Sequence, residues 1–247
     1  MLRTILVLTE ILITHFISQN MMEYNLLSLK FSFLQLIYLF FPFQITYLCI
    51  GLMATSICFG LMIGLGIALI RVFSQNAILI GLSKGYVSIV RGTPLLVQLF
   101  ILYYGLPDIG VKSSPMTASI LALSINTGAF LSETFRSSIL SVKRGQLEAA
   151  LSLGLKKWQA FYFIIMPQAA RVAIPPMGNT FIGMLKETSL VSVVTVTELL
   201  RTSQLLIAKH LVVMPFYVSI AVIYWVLSAV FSIILVKVEN RLSFYEN

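Results

Sequence analysis

The sequence predicts an all-α, polytopic helical membrane protein with about five core transmembrane helices, and three observations carry that prediction. Hydrophobic residues make up 58% of the 247 and charged residues only 11%, against roughly 45–50% and about 25% in soluble domains. Mean hydropathy is +0.95 over the whole chain, so the apolar surplus is spread along the sequence rather than confined to one anchor. Five apolar runs approach the length of about 20 residues that a helix needs to cross the hydrocarbon. A cytosolic enzyme is excluded on the same grounds.

The first run, 44–70, contains Gly60, Gly64 and Gly66. A small-xxx-small pair among them would let a neighbouring helix approach closely, although glycine is frequent in transmembrane helices in any case. The second run, 84–105, carries Arg91 and Pro94, which mark where a membrane-surface segment turns into the bilayer. The third run is 116–135, the fourth lies within 172–198 and the fifth is 212–236. Ahead of them, the apolar stretch 5–17 is short and broken by Glu10 and His15. It supports neither a span nor, for want of a small-residue cleavage site, a signal peptide. Met21 and Met22 offer an alternative translation start, and the aromatic-rich 31–43 reads as an interfacial lead into the first run.

The net charge of +8 belongs to membrane topology rather than to nucleic acid, because no basic patch accompanies it. Lys and Arg accumulate on the cytoplasmic side. With the N-terminus outside, eleven fall inside: Arg71, Lys84, Arg91, Arg136, Lys143, Arg144, Lys156, Lys157, Arg171, Lys237 and Arg241. Five fall outside, namely Arg3, Lys30, Lys112, Arg201 and Lys209, and Lys186 stays within or beside a span. The expected topology is therefore N-terminus outside, C-terminus in the cytoplasm, with 136–171 cytoplasmic. Cys49 and Cys58 are nine apart in one apolar run, too distant along a helix to bridge, and read as packing residues. Two histidines and no His/Cys cluster leave no metal-site spacing.

The segment 141–171 is the most informative. Its start is too polar to span, yet Leu147, Ala150, Leu151 and Leu155 recur at helical spacing. Gly154 stands where a helix C-terminal cap belongs, and a second amphipathic stretch runs from Leu155 to Pro167. A helix, turn and helix at the inner membrane face is expected. It is either a surface helix or an exposed apolar, Ala-rich knob carrying Glu148 and offered to a cytoplasmic partner.

Glu148, Ala149 and Ala150, then three residues, Gly154, nine residues, Ile164, one residue, and Met166-Pro167 resemble the EAA coupling loop of permease subunits in ABC importers. Every spacing of that motif is matched; Met166 stands where the family usually has Leu, a volume-conserving exchange. The stretches RGTPLLVQ (91–98), GAFLSETFR (128–136), PQA (167–169) and KETSL (186–190) further resemble permeases for polar amino acids. The resemblance covers about 44–240. It implies the type I ABC importer permease fold, two permease subunits (a homodimer or heterodimer) and two ABC ATPase subunits per transporter, and a periplasmic amino-acid-binding protein. The cytoplasmic (inner) membrane of a bacterium and the direction of transport are inherited from the family too. The organisation expected is an N-terminal region 1–43, periplasmic or interfacial, a transmembrane permease domain 44–240 with its coupling segment at about 141–167, and a cytoplasmic tail 241–247. Gly145, Glu148, Ala149, Ala150, Leu151, Gly154 and Pro167 are the expected ATPase-coupling residues.

Polar groups inside a span mark a pathway or a helix contact. On the third run Ser119, Asn126 and Glu133 recur every seven residues, near one helix face. Asn126 is a candidate for binding the α-amino or α-carboxylate group of an amino acid, or else for an interhelical hydrogen bond. Glu133 either attracts a cationic group or pairs with Arg136 at i, i+3. Thr93 and Gln98 are further pathway candidates, and Pro94 can free a carbonyl to face a cavity. Lys186, Glu187, Thr188 and Ser189 interrupt the fourth run; adjacent Lys and Glu cannot share a helix face, so a local break is expected. Lys186 and Ser189 are pathway candidates, or parts of a turn satisfied by its own side chains. Glu187 stands where the family more often has Asp, Asn or Ser, and no direct role is assigned to it.

No G-x-x-x-x-G-K-[ST] run occurs in the chain, so nothing in it would cradle the phosphates of ATP. No catalytic, cofactor or metal residue is expected; ATP and Mg would be used by the partner ATPase. Two other classes stay open on the residues alone. One is an ion-gradient-driven secondary transporter or channel subunit, for which five spans are few and no inverted repeat is visible. The other is a membrane scaffold, which would leave Asn126, Glu133 and the coupling spacing unexplained. Membrane lipid is the remaining partner; nucleic acid is not one.

Overall fold

The computed structural model describes residues 43–243, and every regular element among them is helical. The expectations for 1–42, including the alternative start and the interfacial stretch, and for 244–247 lie outside the described residues. The first helix, α1, runs Phe43–Phe73, 31 residues with Arg71 in its last turn. At 1.5 Å per residue it exceeds the roughly 30 Å hydrocarbon thickness. The second, α2 (Ala77–Gly92), starts where the Asn76 side chain accepts the Ile78 and Leu79 N–H groups, a polar N-cap that supplies acceptors the helix end lacks.

After Gly92 the chain bends by 106°. Pro94 has no N–H and forces its predecessor out of the helical region, and Thr93 is accordingly extended. The chain resumes as α3 (Leu95–Phe100), a π-turn at Ile101–Gly105 and the short α4 (Leu106–Asp108). The expected bend at Arg91–Pro94 is thus where the helix axis breaks.

The central helix is α5 (Pro115–Ser141), which opens with proline at its first turn after Ser114, whose Oγ accepts the Thr117 N–H. It packs most extensively on α1 and also meets α2, α3 and the later α8. Ser, Thr, Asn and Gly are tolerated along it because its surroundings are protein. Among the described residues, Gly51–Phe73 and Met214–Arg241 are long and apolar enough to cross a membrane unaided. Two bent helix pairs pass the same criterion together, whereas α5, 27 residues long, does not meet it by its own composition.

The connection after α5 holds α6 (Arg144–Ser152), α7 (Lys157–Ala160), a π-turn at Phe161–Ile165 and α8 (Met166–Glu187). This extends two expectations. The helix that carries the fourth run begins at Met166, ahead of 172, and the helical path from Lys157 continues through Pro167. Pro167 sits in the first turn of α8, where a missing N–H costs least, and the widened π-turn before it relieves the ring's clash with the preceding turn. The helix ends in a 3₁₀ segment, Thr188–Val194, followed by α9 (Leu199–His210) and α10 (Met214–Ser243).

Two glycines on α1 fit the close-approach expectation and the third does not. A Cβ on Gly60 would lie 3.1 Å from Thr127, and one on Gly64 2.8 Å from Leu131 Cβ, whereas nothing lies within 4 Å of Gly66. Gly128 on α5 completes the seam, with Ile63 2.7 Å from its would-be Cβ. Cys58 is free and exposed, not the packing residue expected, because it lies on the side of α1 away from this seam.

Candidate functional site

The helix α6 is short, and its end is built by Gly154. With φ of +83°, Gly154 occupies the left-handed region that glycine enters without a Cβ clash. The Gly154 N–H reaches the Leu151 carbonyl at 2.9 Å and the Leu155 N–H the Ala150 carbonyl at 3.2 Å, the paired bonds of a Schellman motif. Ala150 is 4% exposed and turns toward the bundle. Gly145, Leu147, Glu148, Ala149 and Leu151 are exposed, and beyond them stand Leu153 at 84% and Trp158 at 62%. The segment therefore presents one carboxylate beside apolar side chains and flanked by the exposed Lys143, Arg144, Lys156 and Lys157, with no salt bridge to Glu148 among the described residues. Pro167 is exposed a turn beyond the π-turn.

Thr93, Gln98 and Asn126 come together. Gln98 Nε2 donates toward the Val90 carbonyl (2.7 Å), the Thr93 carbonyl (2.9 Å) and Thr93 Oγ1 (3.0 Å). Its Oε1 accepts from Asn126 Nδ2 at 3.3 Å. The carbonyls left by the break at Pro94 accept from Gln98, as an uncompensated carbonyl away from water would be costly. Tyr86 ties α2 directly to α5, donating to the Ile125 carbonyl at 2.6 Å. Ser119, on the same face of α5, donates to its own helix at Pro115 O.

Glu133 lies apart from this cluster, and both of its carboxylate oxygens are engaged. Oε2 accepts from Arg71 Nη1 of α1 at 2.5 Å. Oε1 accepts from Arg136 Nε at 3.0 Å and also from Arg136 Nη2. The i, i+3 pair with Arg136 is present, joined by a second arginine 62 residues away in sequence. Around Lys186 the expected break begins at Thr188, with Thr195 left-handed at φ 65° closing the 3₁₀ segment. Thr188 Oγ1 donates to Leu185 O and Ser189 Oγ to Lys186 O, both at 2.7 Å. The hydroxyls there satisfy the turn itself, and the Lys186 side chain is exposed.

The sequence reasoning missed Glu198. It is 1% exposed and caps α9, accepting the Leu200 and Arg201 N–H groups at 2.8 and 2.7 Å and the Tyr224 hydroxyl at 2.9 Å. An acid just ahead of the amphipathic 199–210 was an available N-cap signal. Its tie to Tyr224 of α10 had none.

A family model described as the binding-protein-dependent transport system inner membrane component matches residues 56–244. The chain is 45% identical over 183 residues to the probable amino-acid permease protein YxeN of Bacillus subtilis (strain 168), covering 73% of this chain and 81% of that one. It is 36% identical over 159 residues to the glutamine transport system permease protein GlnP of Escherichia coli (strain K12), covering 64% and 73%. Among solved structures it is similar to a crystal structure of an amino acid ABC transporter with histidines, at TM-score 0.79 and 36% identity, over 85% of this chain and 97% of that one. The inward-facing MetNI methionine ABC transporter shares the fold, with TM-score 0.67 at 16% identity over 79% and 93%. Helix order, the glycine-capped α6 and these matches agree: the chain belongs to the binding-protein-dependent transport system inner membrane components, the membrane permease subunits of ABC systems whose ATPase is a separate chain.

Proposed function

We propose that this chain is the permease subunit of an ATP-driven importer for polar amino acids, and that it takes its drive from the ATPase through α6. The observation that carries the reading is α6 itself, a helix too short to span that holds Glu148 exposed beside Leu147 and Leu151. Nothing in the fold of the chain requires those side chains to be outside, so a partner surface is the economical explanation. In this reading Glu148 is held by a basic or amide-bearing groove of the ATPase, with Leu151 filling it, while Gly145 and Gly154 set the ends of the lever and Ala149 and Ala150 keep its profile low. ATP and Mg are used on the ATPase. Nucleotide shifts the spans between inward- and outward-open states only through differential binding to the two.

The substrate class rests on the relatives, among them the L-cystine transport system permease protein TcyB of Bacillus subtilis (strain 168), 44% identical over 161 residues. A second permease subunit, identical or related, completes the pathway, and a periplasmic amino-acid-binding protein delivers the substrate. The eleven-to-five distribution of basic residues favours the N-terminus outside and the C-terminus in the cytoplasm. Lys186, exposed, remains the pathway candidate with a donor to offer, and Asn126, buried, gives its amide to Gln98. Gln98, Thr93, Ser189 and Glu133 are engaged in internal bonds, so their contribution to a pathway is through the shape they hold.

The test is purification of the tagged chain in mild detergent, with and without Glu148→Lys. An ATPase subunit that accompanies the wild type and is lost from the variant, at equal membrane levels, is the expected result. A variant that retains both the ATPase and uptake would overturn the assignment of α6.

A further inference from the structure

The lever α6 is flanked by two compliant joints. On one side only Val142 and Lys143, both non-helical, separate it from α5. On the other, α7 has four residues and passes through the π-turn Phe161–Ile165 into a proline-opened helix. Neither joint alone would carry a displacement of α6 into the long helices, because each can absorb it by local rotation.

The last turn of α1 reaches both joints. Arg71 is bonded to Glu133 about two turns before the end of α5, and Glu133 is held in turn by Arg136. Two residues on, the Phe73 ring meets the Phe161 ring of the π-turn edge-on, with 4.6 Å between centroids and 79° between planes. Between these contacts Val72 packs, with Val142 and Phe161, on the buried cluster of Ile139, Ile165 and Ala169. Consecutive helical residues point about 100° apart. Residues 71 to 73 therefore grip α5 with one side chain and the α7–α8 junction with another.

We propose that this last turn of α1 is a brace, with Arg71, Glu133 and Phe73 as positioning residues that close a rigid triangle between the last turns of α5, the end of α1 and the start of α8. The brace converts movement of α6 into movement of whole helices. This rests on the reading of α6 as the ATPase contact. The contacts themselves are of different kinds, an ion pair and an aromatic edge, so each can be removed without the other.

The test uses the complete complex with its binding protein in proteoliposomes, measuring ATP hydrolysis and uptake in the same vesicles, with labelled L-glutamine, L-cystine and L-histidine tried in turn. Phe73→Ala and Glu133→Gln should each keep the ATPase bound and hydrolysing, while uptake per ATP falls about tenfold, within the range by which packed networks modulate coupling. The double variant should be no worse than the poorer single one, since both act on one brace. Phe73→Tyr keeps the ring and should restore the ratio. An unchanged ratio in Phe73→Ala, or hydrolysis and uptake falling in step, would overturn the brace. If the wild type hydrolyses ATP but carries none of the three amino acids, the substrate reading fails instead. The brace is then judged by amide hydrogen exchange at 161–166, which should accelerate roughly tenfold in Phe73→Ala once the π-turn opens locally; unchanged exchange would refute it.

Discussion

Replacing Gly64 with alanine tests the packing of α1 on α5 and separates it from helix propensity. A Cβ at Gly64 would lie 2.8 Å from Leu131 Cβ and 3.1 Å from both Gly128 O and Ser132 N. None of these atoms can swing aside, and carbon atoms in good contact sit about 3.5–4.0 Å apart. The helices must therefore part locally, an overpacking that costs about 1–3 kcal/mol. Alanine also gains about 0.8–1.0 kcal/mol over glycine in a helix, which would blur a single measurement. Gly66→Ala supplies the reference, because nothing lies within 4 Å of that position and the propensity gain is shared. Gly64→Ala should be less stable than Gly66→Ala by about 1–3 kcal/mol, roughly a five- to 150-fold difference in the unfolding equilibrium. Reversible unfolding of the detergent-solubilised chain by SDS, followed through Trp158 and Trp225, measures that difference. Equal stability of the two variants, within about 0.5 kcal/mol, would refute the seam.

Gln98→Ala should destabilise by about 1–3 kcal/mol in the same assay, because the Val90 and Thr93 carbonyls lose their donor and the Asn126 amide its acceptor. Gln98→Glu, similar in size but without the amide donors, should be no better; stability equal to wild type would mean that Pro94 alone holds the bend. Gly154→Ala, forced to φ of +83°, should cost roughly 1–2 kcal/mol and raise hydrogen exchange at 147–153, with Gly154→Asn milder. Unchanged exchange in the alanine variant would mean that α6 does not depend on its cap.

Most of the fold was legible because its signals are local. Apolar run lengths located the helices Phe43–Phe73, Pro115–Ser141 and Met214–Ser243 closely, Pro94 located the bend inside the second run, and Gly154 located the end of α6. The helix carrying the fourth run starts ahead of that run for a specific reason. The residues leading into the run, 157–171, carry Lys157, Gln159, Gln168 and Arg171, and a hydropathy reading leaves such a stretch out of a span even when it is helical. The amphipathic stretch expected to run to Pro167 passes through a π-turn into the next helix.

The candidate site divides along the same line. The shape of α6 depends on neighbours within one or two turns, so spacing alone located the short helix and its glycine cap, whereas the burial of Ala150, expected on the exposed face, depends on the bundle. The roles of Gln98, Asn126 and Glu133 depend on partners 28 to 62 residues away. A sequence offers Asn126 as a free amide and Glu133 as a free carboxylate; only helix packing supplies the Gln98 oxygen and the Arg71 guanidinium that occupy them. The sequence by itself determined that the chain crosses a membrane as helices and presents a short polar-apolar knob between two of them, because hydropathy, proline and glycine act on the backbone where they stand. The tertiary structure decided which polar groups are engaged and which exposed, and it alone brought the last turn of α1 against both joints of the knob, because contacts between distant helices depend on their mutual orientation.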